Sequence, residues 1–208
     1  MSSLSELLPD SGANAERMLL RQLAHQIEDE LVSVIELLSE AAGRCDCTEA
    51  RAMLVSVQDR LESHVCLHHA LQMPQFATTI DLASYLQQLR RSISRSRLEY
   101  EGIALLLLLQ PLNMSSERCW LLGMVVFELI TASARHISLK GTGTIRLEVW
   151  GTANSVTCCI IDNGTTDQGR PRLSRSMVDM LVARLNGTMD VRFGPDGART
   201  VVEIPRGA

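Results

Sequence analysis

The sequence predicts an α+β protein in which a helical hairpin is followed by an α/β sandwich. In the first third of the chain, apolar residues recur every three or four positions, which is typical of amphipathic helices. Beyond Pro74, short apolar runs with strand-like patterns alternate with helical segments, which is typical of a sheet covered by helices. We therefore expect a flexible leader over residues 1–14, a hairpin domain over residues 15–74 and a sandwich domain over residues 75–208.

The hairpin domain has one apolar stripe on each predicted helix. The first helix extends to about Gly43, and the second begins at the candidate N-cap Thr48 and stops before Pro74. The stripes consist of Leu20, Leu23, Ile27, Leu31, Val34 and Leu38, and of Ala50, Leu54, Val57, Leu61 and Val65. One hairpin cannot bury both stripes, whereas two hairpins bury them as a four-helix bundle, so we expect a homodimer. Packing of the hairpin against the rest of its own chain is the alternative.

The sandwich domain is predicted to contain three helices and five strands. The predicted helices are residues 82–93, 116–136 and 174–185. The predicted strands are residues 103–110, 144–150, 156–161, 188–193 and 198–204. The last helix should end at Asn186-Gly187, and the last two strands should form a hairpin around Gly194 to Gly197.

Composition excludes several functional classes. A net charge of −4 and an aromatic content of 3% do not provide the basic surface and stacking side chains of nucleic-acid binders, so no nucleic-acid partner is expected. The longest apolar run, Ile103 to Leu109, is too short to cross a bilayer, and residues 1–10 lack a basic segment followed by an apolar one. We expect a cytoplasmic protein that does not associate with membranes.

The six cysteines are interpreted as reduced thiols. Cys45 and Cys47 precede a helix that carries His64, His68 and His69, which together suggest a zinc site. Their spacing lacks the paired C-x₂-C pattern of such sites, so we interpret them as ordinary helix and loop residues and predict no metal.

The order of elements and several motifs resemble the sensor histidine kinases over residues 15–205. His25-Gln26-Ile27-Glu28-Asp29-Glu30-Leu31 is similar to the phosphoacceptor box His-Arg-Val-Lys-Asn-Asn-Leu of one kinase subgroup, and residues 81–89 resemble the first helix of that subgroup's ATPase-like domain. Residues 128–136 are similar to the family's N box, and residues 162–164 to its adenine-reading Asp-Asn-Gly motif. The resemblance implies a dimerisation domain followed by a degenerate ATPase-like domain.

The resemblance implies that His25 is the phosphoacceptor. His25 lies two residues from both Leu23 and Ile27, so helical geometry turns it away from the apolar stripe and toward solvent. A neutral imidazole is the required nucleophile, and Glu28 or Asp29, expected one turn later on the same exposed face, would fix its tautomer. A solvated surface histidine is the alternative that spacing alone favours.

A receiver-domain partner should contact the exposed face around His25. Arg21, Gln22 and Val32 share that face and are the candidate partner-binding residues. His68 and His69 form a second candidate acceptor pair, but their place at a helix C-terminus favours a solvated helix end.

The family's magnesium ligands are missing. The resemblance implies two Asn side chains in the N box, and the matching positions here hold Phe127 and Ala132. Phenyl and methyl groups cannot coordinate a hard cation, and Glu128 alone does not replace the Asn residues.

The phosphate-binding loop also departs from the family pattern. Residues 169–174 read Gly-Arg-Pro-Arg-Leu-Ser where the family has Gly-Leu-Gly-Leu, so one N–H donor is lost and close approach is hindered. Asp162 and Gly164 survive as part of a vestigial nucleotide site together with Glu128. We therefore predict no cofactor, with ATP and Mg²⁺ binding lost.

Three functions remain after these observations. The first is a histidine phosphotransferase that shuttles a phosphoryl group through His25 between the receiver domains of response regulators. The second is a soluble histidine kinase with an atypical ATP site. The third is a non-catalytic adaptor that sequesters a response regulator.

Overall fold

The structure, a computed structural model, describes residues 10–72, 79–137, 142–164, 175–194 and 196–206. It divides into two compact units, Met1–Val65 and Cys66–Ala208. The predicted α+β class is confirmed, because a helical hairpin precedes a domain of helices and mixed sheet.

The hairpin consists of α1 (Asp10–Arg44) and α2 (Thr48–Ala70). Residues 10–14, which the sequence analysis assigns to the leader, are therefore helical. The helices are joined by a short turn in which Arg51 donates from Nε to the carbonyl oxygen of Cys45 at 3.1 Å. This bond satisfies a carbonyl that follows the end of α1.

The buried face of α1 differs from the predicted stripe. Leu23, Ile27 and Val34 expose 55%, 51% and 44% of their surface in the single chain. The less exposed positions instead share a face shifted by one residue: Ala24, Glu28, Leu31, Ile35, Leu38 and Ala42. Two apolar stripes lie side by side on this helix, and periodicity alone cannot decide which of them is covered within one chain.

The second unit is built on a five-stranded sheet. Its strands are β2 (Ile103–Leu109), β4 (Gly143–Gly151), β5 (Ser155–Asp162), β6 (Thr188–Gly194) and β7 (Gly197–Pro205), in the order β2-β4-β5-β7-β6. β2 runs parallel to β4, and all other neighbours are antiparallel. A separate pair, β1 (Thr79–Asp81) with β3 (Asn113–Ser115), was not anticipated because three-residue strands leave no periodic signal.

Three helices cover one face of this sheet. They are α3 (Leu82–Ile93), α4 (Ser116–Ile137) and α5 (Arg175–Arg184). On β4, Ile145, Leu147 and Val149 are buried beneath the helices, whereas the alternate side chains lie on the other, open face. α4 is the one described helix long and apolar enough to span a membrane, and most of it is buried as the core helix of this unit.

The end of α5 agrees with the prediction, and the burial of β2 does not. α5 ends as expected, because Asn186 adopts a left-handed conformation (φ 53°) and Gly187 N–H donates to the carbonyl of Val182 at 2.9 Å. β2 was expected to be buried, but Leu106 and Leu108 are 51% and 59% exposed because β2 is an edge strand with only one covered face.

Candidate functional site

His25 lies in the middle of α1 with its imidazole in solvent, as its spacing predicts. Its side chain is 66% exposed, and Nδ1 lies 3.6 Å from Oε2 of Glu28, one helical turn later. This distance is longer than a direct hydrogen bond but within the range of a charge contact. A proton on Nδ1 faces this carboxylate, which leaves the Nε2 lone pair directed at solvent.

Glu28 and Asp29 are in different environments. Glu28 is 6% exposed, so the expectation that it lies on the solvent face beside His25 is wrong. The physical reason is the shifted buried face of α1, which passes through Glu28 and leaves His25 at its border. Asp29 remains exposed and forms no ion pair among the described residues. Of the two candidate carboxylates, the structure brings Glu28 to the imidazole.

The predicted docking residues are placed on the same helix. Gln22 and Val32 are exposed, one turn before and two turns after His25. Arg21 lies within α1, but its side chain is outside the described part of the structure. His69 is exposed near the end of α2.

Asp162, which is predicted to belong to a vestigial nucleotide site, lies at the end of β5. Its Oδ2 atom accepts a hydrogen bond from the Ser133 hydroxyl at 2.7 Å. Its Oδ1 atom accepts from the backbone N–H groups of Gly164 at 3.0 Å and Ala198 at 3.3 Å. Both carboxylate oxygens of this buried side chain are thus engaged by its own chain.

The turn between β6 and β7 closes against the same aspartate. Gly197 has φ 131°, and a Cβ at this position would overlap the carbonyl oxygen of Asp162. Only glycine accommodates both the conformation and the close approach. The hairpin is therefore held tightly over the end of β5, which brings Ala198 N–H to the carboxylate.

A small cavity lies beside Asp162 on the helix-covered face of the sheet. It has a volume of 20 Å³, enough for about one water molecule. Its lining comes from α4, β5, β6 and β7: Leu129, Ala132, Ser133, His136, Asp162, Val191, Phe193, Ala198 and Thr200.

Of the positions expected to bind metal, the described residues Phe127 and Ala132 offer no replacement ligand. Ala132 lines the cavity with a methyl group, and Phe127 packs against the apolar core. Glu128 is partly exposed on α4. The phosphate loop, residues 169–174, lies outside the described residues. The described side chains thus fit a magnesium nucleotide poorly.

Ser133 is the site residue that sequence reasoning missed. It lies one position after Ala132, in the segment similar to the N box. Ser133 does not match either Asn position of the family, so the resemblance does not single it out. A polar side chain on an otherwise apolar helix face was the available signal, since such a group requires a buried partner.

Comparisons with known proteins agree with the fold and the motifs. Residues 22–97, which include His25, match a family model described as histidine kinase, HisKA_2. No curated protein matches the chain.

Solved structures resemble nearly the whole chain. The histidine kinase domain of the blue-light-activated histidine kinase EL346 from Erythrobacter litoralis is 18% identical, with a TM-score of 0.56 over 86% of this chain and 94% of that domain. A bacterial phosphotransferase is 11% identical, with a TM-score of 0.61 over 97% and 98% of the two chains. The histidine kinase AdeS from Acinetobacter baumannii is 14% identical, with a TM-score of 0.53 over 88% and 98%. The predicted resemblance to the histidine kinases is confirmed.

Proposed function

We propose that this chain is a histidine phosphotransferase of two-component signalling. Its fold and the sequence of residues 22–97 are similar to those of histidine kinases. In this function His25 accepts a phosphoryl group from an aspartyl phosphate on one receiver domain and passes it to an aspartate on another. The observation that carries the proposal is the exposed His25 imidazole with the Glu28 carboxylate 3.6 Å from its Nδ1, in a chain whose Phe127 and Ala132 offer no oxygen ligand for Mg²⁺.

The chemistry at His25 requires only groups that α1 supplies. The Nε2 lone pair forms the N–P bond while the P–O bond of the aspartyl phosphate breaks. The electron pair of the P–O bond stays on the receiver carboxylate. The ring then carries a positive charge with its proton on Nδ1, opposite the Glu28 carboxylate. This carboxylate stabilises the charged ring and fixes the tautomer, and the reverse reaction delivers the phosphoryl group.

The energy for this reaction comes from the donor phosphoprotein rather than from ATP. A purine at Asp162 would share the carboxylate with Ser133 and would need more space than the 20 Å³ cavity beside it provides. Ala132 and Phe127 add no oxygen ligand for Mg²⁺. The protein therefore needs no cofactor. The solved structure of a bacterial phosphotransferase, which matches 97% of this chain and 98% of that one, is compatible with this activity.

The receiver domain is proposed to dock on the solvent face of α1 around His25. Gln22 and Val32 lie on this face, and Val32, 44% exposed, offers an apolar contact. Receiver active sites are acidic pockets with apolar rims, so Arg21 would complement the charge.

The active form is proposed to be a homodimer. Leu23, Ile27 and Val34 leave an apolar stripe open on α1 of the single chain. A second copy would cover it in a four-helix bundle, the arrangement that such hairpins commonly adopt.

The decisive experiment presents phosphorylated receiver domains to the purified protein. The wild type should acquire an acid-labile phosphoryl group, and His25→Ala should acquire none while its circular dichroism is unchanged. His69→Ala, which removes another exposed helical histidine, is the matched control and should accept normally.

Two other outcomes identify the alternatives. Label on His25 after incubation with labelled ATP and Mg²⁺ would identify a soluble histidine kinase instead. A His25→Ala protein that is never phosphorylated by any receiver but retains the cellular effect of the wild type would identify a non-catalytic adaptor.

A further inference from the structure

One row of the open face of the sheet carries three arginines. Strand register places Arg146 of β4, Arg199 of β7 and Arg192 of β6 in this row, with Ile161 of β5 between the first two. Arg199 and Arg192 are directly opposite each other. Directly opposed residues have Cβ atoms about 4.5–5.5 Å apart, where like charges destabilise the pair unless they are neutralised.

The two opposed arginines are each anchored through Nε. Arg192 donates from Nε to Oδ2 of Asp190 at 2.7 Å, and Arg199 donates from Nε to Sγ of Cys159 at 3.3 Å. Among the described residues, neither guanidinium uses its terminal amino groups in a hydrogen bond. Two oriented forks of N–H donors are therefore available at adjacent positions.

Charge compensation in this row is incomplete. Asp190 pairs with Arg192, but the only described hydrogen-bond partner of Arg199 is a thiol. Glu148 on β4, two strands away from Arg199, forms an ion pair with Arg146 at 2.8 Å. An anion between Arg192 and Arg199 would remove the repulsion between them.

A surface cavity lies at this position. Its volume is 290 Å³, at the lower limit for small-molecule sites. Besides the two arginines, Ile161 of the same row contributes apolar surface to it. The Phe193 side chain points to the helix-covered face, because side chains alternate along β6 and Arg192 lies on the open face. The cavity thus combines two donor forks with one apolar side chain.

We propose that this cavity binds the phosphate group of a small phosphate monoester. Two forks offer up to four N–H donors, which suits the three terminal oxygens of a tetrahedral dianion, whereas a carboxylate saturates a single fork. The remainder of the ligand rests on Ile161. The cavity volume favours a small ligand.

Two carboxylates at the cavity moderate its affinity. Asp162 is buried and both of its oxygens are engaged, so it contributes little repulsion. Asp196 is exposed at the turn between β6 and β7 and opposes an anion. The expected affinity is therefore in the millimolar range, which is typical of a solvated site.

The test is a titration of the unphosphorylated protein, followed by NMR, with phenyl phosphate and with inorganic phosphate. Both should shift the Arg199 and Phe193 backbone resonances. Tighter binding of phenyl phosphate would identify an organic monoester as the ligand, and equal binding would identify free phosphate.

Three variants make the test specific. Arg199→Gln should weaken binding about tenfold, because a charge-assisted fork is lost. Asp196→Asn should strengthen binding roughly threefold, because it removes the exposed opposing charge at the cavity. Arg146→Gln, in the same row but outside the cavity, is the control and should change nothing. Unchanged binding in Arg199→Gln, or an equal loss in Arg146→Gln, would overturn the proposal.

Discussion

Glu28 and Asp29 both follow His25 at helical spacing, but burial separates their expected roles. Glu28 is enclosed and lies 3.6 Å from Nδ1, whereas Asp29 is surrounded by solvent. A carboxylate with restricted motion orients an imidazole more effectively than a freely rotating one. We expect Glu28 to position His25 and Asp29 to be dispensable.

Glu28→Ala should therefore slow phosphoryl acceptance by His25 about tenfold to a hundredfold, which corresponds to the loss of one charge-assisted contact. Asp29→Asn is the matched control and should retain the wild-type rate. The ¹⁵N shifts of the His25 imidazole should report mixed tautomers in Glu28→Ala only. A normal rate in Glu28→Ala combined with a slow Asp29→Asn would reverse the assignment.

Tyr85 on α3 carries a buried hydroxyl without a hydrogen-bond partner among the described residues. Burial, with a smaller contribution from Cys119, raises the pKa of Tyr85 to about 12. Tyr85→Phe removes the unsatisfied hydroxyl and should increase the free energy of unfolding by about 1 kcal/mol, measured by urea denaturation.

Gly123→Ala changes the same contact and should lower the stability instead of raising it. A Cβ at Gly123 would overlap the Tyr85 hydroxyl, so this variant should be less stable than the wild type. A Tyr85→Phe protein no more stable than the wild type would mean that water reaches the hydroxyl.

Site residues could be predicted from the sequence only where a motif names them. His25, Asp162 and Gly164 are predicted from short sequence motifs whose order is specific to the family. The Ser133–Asp162 hydrogen bond could not be foreseen, because it joins residues 29 positions apart on different elements. Its formation depends on how α4 packs against β5, which no local pattern encodes.

Among the elements, α3 begins with a well-formed N-cap. Asp81 accepts hydrogen bonds from Ala83 N–H at 3.3 Å and Ser84 N–H at 3.0 Å. The Ser84 hydroxyl, followed by these backbone groups, lowers the pKa of Asp81 below its ordinary value of 3.8. The ionised carboxylate therefore stabilises the first turn of the helix.

Asp81→Ala should lower the free energy of unfolding at neutral pH by about 1 kcal/mol. Because the folded-state pKa is lowered, this stabilisation is complete well above pH 3.8 and is lost as the pH falls through the lowered value. The difference between wild type and Asp81→Ala, measured by thermal unfolding, should shrink in acid. Asp81→Asn retains a cap at every pH, so its deficit should be smaller at neutral pH than that of Asp81→Ala.

Element types were predictable because each long helix and most strands carry a clear period. α4 and β4 follow the predicted ranges closely. The π-helical turn at Ser94–Leu98 was not anticipated, because it continues the helical pattern of α3 with only a wider turn. The prediction of which face of α1 is buried was wrong, because two neighbouring apolar stripes on this helix have the same period.

At the scale of the whole molecule, the apolar stripe on α1 predicts self-association. Val34→Glu should convert a dimer to a monomer at micromolar concentration, because the charge would be buried in the bundle. Ser33→Glu, at an exposed neighbouring position, is the matched control and should remain dimeric. Light scattering measures both, and a monomeric wild type would contradict the bundle.

The change of pattern near Pro74 predicts two domains, whereas the compact units of the structure divide between Val65 and Cys66, within α2. Which side chains of a strand are covered could not be predicted. Whether a strand lies at an edge depends on its partners, as the exposed Leu106 and Leu108 demonstrate. The uncharged sequence of β2 gives no sign of that exposure.

The parallel pairing of β2 with β4 has a consequence for how the second unit folds. The antiparallel neighbours β6 and β7 are joined by a tight turn, so they can meet early at small entropic cost. β2 can reach β4 only after the intervening α4 has formed and packed, because their paired residues lie 40 positions apart in the sequence. Until that step, the leucine-rich β2 is unpaired, and a nascent chain is then most susceptible to aggregation and most dependent on chaperones.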